Sequence, residues 1–238
     1  MRVKLTFAYD GTDFFGSQIQ KHTDRTVIGT LTHVLHRLGI DSIPVASGRT
    51  DSGVHATAQV CHLDLPPFWS DTEKLRSTLN KMLPSSIHIR RIKTVGDDFH
   101  ARYDAKKRVY RYLISTKEPS PFTVRYITHI HEIDFEKIEK NIKLFAGSHD
   151  FGYFQKTGSD VKTTSRKIYR AFAYKHKSTI ILYFEANGFL RSQVRLMCGA
   201  LLQLEADEIE AMLRKEKRYR IKPVPPQGLY LAKIKYEG

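Results

Sequence analysis

The run Ser47-Gly48-Arg49-Thr50-Asp51-Ser52-Gly53 sets one carboxylate among small, turn-forming residues, with an arginine two positions before it. Residues two apart in extended backbone project to the same side, so the Arg49 guanidinium can hold the Asp51 carboxylate ionised and present it. An ionised carboxylate can act as a nucleophile. The same residues also suit an Asx turn, and spacing leaves both readings open. Gly48 and Gly53 would let another backbone approach. Other chemistries find less footing. The pairs Gly11/Gly16 and Gly147/Gly152 have the glycine spacing of a phosphate loop, but neither is followed by Lys-Ser or Lys-Thr. No G-x-G-x-x-G occurs, so no nucleotide cofactor has a motif behind it. His129 and His131 could share a strand face, yet no third metal ligand is suggested by spacing. Neither Cys61 nor Cys198 lies in a C-x-x-C pair.

Composition points to a partner. Across 238 residues, 39 lysines and arginines oppose 25 acidic residues, a net charge of +14. Such a surface favours a polyanion. Basic residues interleave with aromatics in Arg102-Tyr103, in Lys106-Lys107-Arg108-Val109-Tyr110-Arg111-Tyr112 and in Arg166-Lys167-Ile168-Tyr169-Arg170. Cations that neutralise phosphates beside rings that stack on bases suit RNA, whereas any one run could equally be a strand with solvated charges and half-buried tyrosines. A hydrophobic share of 41% with 13 Phe and 12 Tyr excludes wholesale disorder. The charged start Met1-Arg2-Val3-Lys4 is unlike a signal peptide, no apolar run approaches the length of a membrane span, and two cysteines make no disulfide framework. The expectation is a cytoplasmic protein with no membrane association.

The elements that must position these residues follow from periodicity. Val3, Leu5, Phe7 and Tyr9 alternate with polar residues as a half-buried strand. After Asp10-Gly11, a helix capped by Thr26 carries Val27, Leu31, Val34, Leu35 and Leu38 and ends at Gly39. Residues 41–47 then lead to the Asp51 loop, and residues 57–65 read as extended. A second helix follows Ser70 or Asp71 through Leu75, Leu79 and Met82 to Pro84, and residues 87–95 form the next strand. Gly96-Asp97-Asp98 breaks the pattern, which places a domain boundary between residues 1–103 and 104–238. The second half has a strand at 109–114, a helix from the cap Asp134 through Phe135, Ile138, Ile142 and Phe145 to Gly147, and a long loop at 152–165. A hairpin at 167–175 and 179–186, an apolar helix at 189–203, a short helix at 207–214 and a final strand at 229–236 complete it. Strands with fewer interleaved helices, lacking strict alternation, predict an α+β fold.

The run Gly48 to Ala56 (Gly48-Arg49-Thr50-Asp51-Ser52-Gly53-Val54-His55-Ala56) resembles the signature of the tRNA pseudouridine synthase A family. Tyr9-Asp10-Gly11-Thr12 with Phe14, Gly16 and Gln18 is similar to that family's first strand and loop. Asn80 with Leu83-Pro84, Phe99-His100-Ala101-Arg102, Tyr110, Ser165-Arg166, Asn187-Gly188-Phe189-Leu190 with Val194-Arg195, and Pro226 with Gly228-Leu229-Tyr230 match in the same order. The resemblance implies a pseudouridine synthase fold: two ferredoxin-like halves forming a central, mostly antiparallel sheet flanked by helices, with the active-site cleft between the halves. It implies isomerisation of uridine to pseudouridine at positions 38, 39 and 40 of the tRNA anticodon stem-loop by a homodimer. That reaction keeps every heavy atom of the nucleotide and requires no cofactor or metal.

The resemblance also assigns roles. Asp51 would be the nucleophile and Arg195 its partner, lowering its pKa and fixing its rotamer. Arg49 would bind phosphate and fill the space left by the flipped nucleotide. Tyr110 would stack on the uracil and remove the C5 proton, and Leu229 would wall the uracil pocket. Read without the family, the same residues are a loop arginine, a helix arginine snorkelling to solvent, a core tyrosine and a strand leucine. Four residues depart from the family pattern: Ser17 where tryptophan is usual, Gln193 where methionine is common, and Arg191 with Ser192. The rival to an enzyme is a non-catalytic RNA-binding or RNA-folding protein; a weaker third reading is a glycosylase, for which Asp97 and Asp98 are poor candidates as a second carboxylate.

Overall fold

The computed structural model describes residues 1–158 and 162–237. The chain divides into two compact units, Met1–Lys106 with Leu231–Gly238, and Lys107–Tyr230.

In the first unit, strand β1 (Arg2–Tyr9) buries its odd residues and half-exposes its even ones, as alternation requires. Helix α1 (Val27–Arg37) starts where the Thr26 hydroxyl accepts the Gly29 N–H, and buries Val27, Leu31, Val34 and Leu35. Gly39, with φ of 71°, turns the chain out of it. Strand β2 (Val45–Ala46) is a two-residue rung on β3 (His55–Asp64), too short for periodicity to reveal. Helix α2 (Thr72–Met82) is capped by Asp71, whose carboxylate accepts the N–H groups of Glu73 and Lys74, and packs on β4 (Ile87–Thr94). The last strand of the chain, β10 (Leu229–Lys235), leaves the second unit at its second residue and lies beside β3, so the order here is β4-β1-β3-β10. Strand β1 runs antiparallel to both β3 and β4.

The second unit has strands β5 (Lys107–Ser115), β6 (Thr128–His129), β7 (Gly147–Asp150), β8 (Ser165–His176) and β9 (Thr179–Ala186), in the order β5-β9-β8-β7 with β6 parallel to β5. The other pairings are antiparallel, and the β8–β9 turn is closed by Lys177 with φ of 54°. Helix α3 (Phe135–Asn141) is shorter than the periodicity predicts: it tightens into a 3-10 turn over Ile142–Phe145, which keeps Ile142 and Phe145 buried. Gly147, with φ of 110°, then opens β7. The predicted loop at 152–165 begins with a 3-10 turn, Gly152–Phe154, that sends Phe154 into the core, and ends in the first residue of β8; its residues 159–161 lie outside the described set. Helices α4 (Gln193–Gln203) and α5 (Ala206–Leu213) complete the unit. The helix predicted over 189–203 starts four residues late because Ser192 sits in the left-handed region, with φ of 57°. Both units combine mostly antiparallel strands with flanking helices, the α+β class. Among the described residues, no helix is long and apolar enough to cross a membrane.

Candidate active site

The first unit carries the Asp51 loop between β2 and β3. Its backbone is fastened at nearly every residue by neutral groups. The Ser47 hydroxyl donates to the Gln59 side-chain oxygen (2.8 Å), and the Gln59 amide donates to the Gly48 carbonyl (3.0 Å). The Thr50 N–H donates to the Ser17 hydroxyl (2.9 Å) and the Ser17 N–H donates back to the Thr50 carbonyl (3.2 Å). The Thr50 hydroxyl pairs with that of Tyr9 at 2.8 Å. Beyond Asp51, the Ser52 hydroxyl (3.1 Å) and the Gly53 N–H (3.4 Å) both donate to the Phe14 carbonyl. The Tyr9 phenol is fully buried, and burial pushes its pKa up to about 12, so it stays neutral.

Two glycines outside the loop make this possible. A Cβ on Gly11 would lie 2.0 Å from the Val54 carbonyl oxygen, and one on Gly16, whose φ is 101°, would lie 3.0 Å from that of Thr50. Within the loop, Gly53 adopts a φ of 76°. Gly48 does not have the expected role, because a Cβ there would meet nothing within 4 Å and no backbone presses on it. Behind the loop, buried His55 accepts the Gly11 N–H at Nδ1 (3.0 Å), with the Asp10 carboxylate 3.2 Å away. The result is a half-buried Asp51 on a fixed turn, flanked by exposed Arg49.

The second unit carries the other three predicted residues. Tyr110 lies on β5 opposite Phe184, is 9% exposed, and meets Phe189 edge-on at 5.2 Å and 84°. Phe189 belongs to the turn between β9 and α4, and Asn187 ties that turn down. The Asn187 side-chain oxygen accepts the Lys167 N–H (3.1 Å), its own N–H donates to the Lys167 carbonyl (3.1 Å), and Arg108 donates to its carbonyl (2.8 Å). Arg195, on α4, is half-buried and donates through Nε to the Val224 carbonyl (2.8 Å), while the Val224 N–H returns a bond to the Arg195 carbonyl (3.2 Å). Leu229 is 5% exposed, at the start of β10.

Four residues have positioning roles that the sequence alone does not reveal. Ser17, a departure from the family pattern, is 2% exposed and closes the two-bond clasp on Thr50. Gln193, the second departure, is fully buried; its side-chain oxygen accepts the Leu190 N–H (2.7 Å) and its N–H donates to the Leu190 carbonyl (3.1 Å). That closure holds the entry to α4, where the Ser192 cap residue makes no side-chain cap bond. Tyr112, buried on β5, reaches the Thr128 hydroxyl (2.6 Å) and donates to the Pro225 carbonyl (3.0 Å), fixing the segment ahead of Leu229. Gly228 fits beneath it only because it lacks a Cβ, which would come within 2.9 Å of the Tyr112 ring and 2.8 Å of the Leu113 carbonyl. The sequence signals are that Ser17 and Gln193 depart from the family pattern and that Gly228 matches it; Tyr112 carries none.

A carboxylate on a pinned turn, in an α+β chain of net charge +14, has the make-up of an enzyme acting on a polyanion. The comparisons with known proteins are specific. A family model described as tRNA pseudouridine synthase matches residues 5–104 and 141–237. A tRNA pseudouridine synthase A of Wolinella succinogenes is 42% identical over 235 residues, covering 97% of this chain and 92% of that protein. Relatives of the same name from Campylobacter jejuni (39% identical over 241 residues, 99% and 100% covered) and Helicobacter hepaticus (39% over 244 residues, 98% and 98%) are also similar. The chain belongs to the tRNA pseudouridine synthase family.

Proposed function

We propose that this chain isomerises uridine to pseudouridine in the anticodon stem-loop of tRNA, at positions 38, 39 and 40, with Asp51 as the nucleophile. One observation carries the reading most directly: the half-buried Asp51 sits between Thr50 and Ser52, both held by hydroxyl-to-backbone bonds, in a chain of this family. A fixed carboxylate can act on the ribose of a nucleotide swung out of its stem, because the sugar becomes accessible only when the base has left the stack. In the reaction the N1–C1′ bond breaks, the freed uracil rotates, a C5–C1′ bond forms, N1 gains a proton and C5 loses one. Arg49 serves the backbone phosphates and the space left in the stem. Arg195 serves as the charge partner of the carboxylate. Tyr110 stacks on the uracil and takes the C5 proton, and Leu229 supplies an apolar wall. The active enzyme is a homodimer working in the cytoplasm, where its substrate is found.

The test is tritium release from unmodified tRNA carrying 5-tritiated uridine, with mapping of the product position. Release from wild-type protein and none from Asp51→Asn, whose tRNA affinity stays within about tenfold because no cation is removed, is the expected result. Binding without release by the wild type would favour the RNA-binding reading instead.

A further inference from the structure

The second unit also carries a basic groove that none of its residues assigned to the reaction lines. A groove of about 530 Å³ is lined by four cations, Lys156, Arg191, Arg218 and Arg220, and by two phenol rings, Tyr153 and Tyr219. Leu196, Ile221 and Pro223 add apolar surface, and no acidic side chain lines it among the described residues. The volume is within the usual range of small-ligand sites, about 300–1,000 Å³. Tyr110, Arg195 and Leu229 do not line it. Leu196 and Arg195 are consecutive on α4, and consecutive helical residues point roughly 100° apart.

The walls are braced rather than loose. Lys215, whose φ is 64°, lies over the Tyr153 ring at 4.0 Å and pairs with Asp150 at 3.3 Å. The Gly152 N–H donates to the same Asp150 oxygen (2.7 Å), which fixes the turn bearing Tyr153. Across the groove, Arg191 donates to the Thr157 carbonyl (3.1 Å) and accepts the Lys156 N–H at its own carbonyl (3.1 Å). Lys217 lies over Tyr219 at 4.7 Å, so this ring already takes a cation on its π-surface. Four positive groups beside apolar surface and aromatic rings match a unit that is anionic at one end and planar at the other.

We propose that this groove holds one nucleotide of the RNA strand outside the reacting uridine, with its phosphodiester among Arg191, Arg218 and Arg220 and its base against Tyr219. The inference rests on RNA being the substrate and adds an anchoring subsite to it. A free nucleotide offers the same phosphate-and-base chemistry, and the test separates the two.

The experiment is a fluorescence-anisotropy titration of the full-length protein with dye-labelled, unmodified tRNA at several salt concentrations, repeated with uridine monophosphate as competitor. Tyr219→Ala should weaken tRNA binding about tenfold, with Tyr219→Phe restoring it, because stacking needs the ring and not the hydroxyl. The double variant Arg218→Ala/Arg220→Ala should lower the slope of log affinity against log salt by about two. Thermal melting of each variant separates these effects from misfolding. If the wild type binds tRNA and Tyr219→Ala and the double variant match it in affinity and slope, the groove assignment fails while the RNA reading stands. If the wild type neither binds tRNA nor releases tritium, the underlying reading fails. Displacement of tRNA by millimolar uridine monophosphate would overturn the strand assignment in favour of a mononucleotide site.

Discussion

The Asp51 loop and the Arg195 helix are both held in place, but by different means. Around Asp51 the clasps run through Tyr9, Ser17, Thr50, Ser52 and Gly53, and the carbonyl of Phe14, all neutral groups. Around Arg195, the guanidinium proposed for the site also bonds the Val224 carbonyl. The difference teaches where function and stability are separable. A turn held through the residues flanking its carboxylate keeps those bonds when Asp51 becomes its amide isostere, whereas truncating an arginine that ties two segments removes a bond between them.

Four substitutions break or sharpen that contrast. The largest effect is expected of Asp51→Asn: tritium release should fall by at least about a thousandfold while the melting temperature stays within about 2 °C. A large drop in melting temperature would place Asp51 among the structural clasps. Gly11→Ala comes next, because its Cβ would overlap the Val54 carbonyl. Overpacking against backbone should destabilise by about 3 kcal/mol, read by urea unfolding, and take activity with it. Arg195→Ala should lose activity and also about 1–2 kcal/mol, since its bond to Val224 goes as well. Unchanged stability would erase the asymmetry between the two regions. Ser17→Ala leaves the buried Thr50 N–H without its acceptor and should cost about 1–3 kcal/mol, with a smaller loss of rate than Asp51→Asn.

The smallest expected effect is a pH dependence. Burial, then His100 and Arg2, lowers the pKa of His62, whose Nδ1 accepts the Ala101 N–H at 3.1 Å. Protonation would forfeit that bond. The unfolded chain therefore binds the proton more readily than the native one, so His62 contributes stability at pH above the ordinary value near 6.5, and that contribution is lost as pH falls toward the lowered native value. Urea unfolding between pH 7.5 and 5 should show the decline, and His62→Asn should flatten it.

Much of the fold was legible because the signals were local. Thr26 and Asp71 cap the helices they announce, and β1 alternates without a break. Strands β2, β6 and β7 were not legible, since two to four residues hold no period and their existence depends on a partner strand. The late start of α4 comes from the left-handed backbone of Ser192, a conformation no side chain advertises. In the site, the run from Gly48 to Ala56 marked Asp51 by resemblance, and Arg49 came with it. Ser17 and Gln193 were legible only as exceptions to a pattern; their roles depend on partners 33 residues away for Ser17 and on a three-residue closure for Gln193. Tyr112 reads as one more aromatic in a strand until Pro225 is brought 113 positions back to its hydroxyl.

The route of β10 has a consequence for how the protein is made. Residues 231–235 supply the neighbour of β3, the Ala232 carbonyl receives the Thr57 hydroxyl, and the Lys235 carbonyl receives the Lys106 N–H. During translation the amino-terminal unit therefore waits, its sheet one strand short, until residues 231–235 have been made. Until then the edge of β3 away from β1 is paired only by the two-residue β2, a stage at which the nascent polypeptide is most exposed to aggregation and most dependent on chaperones.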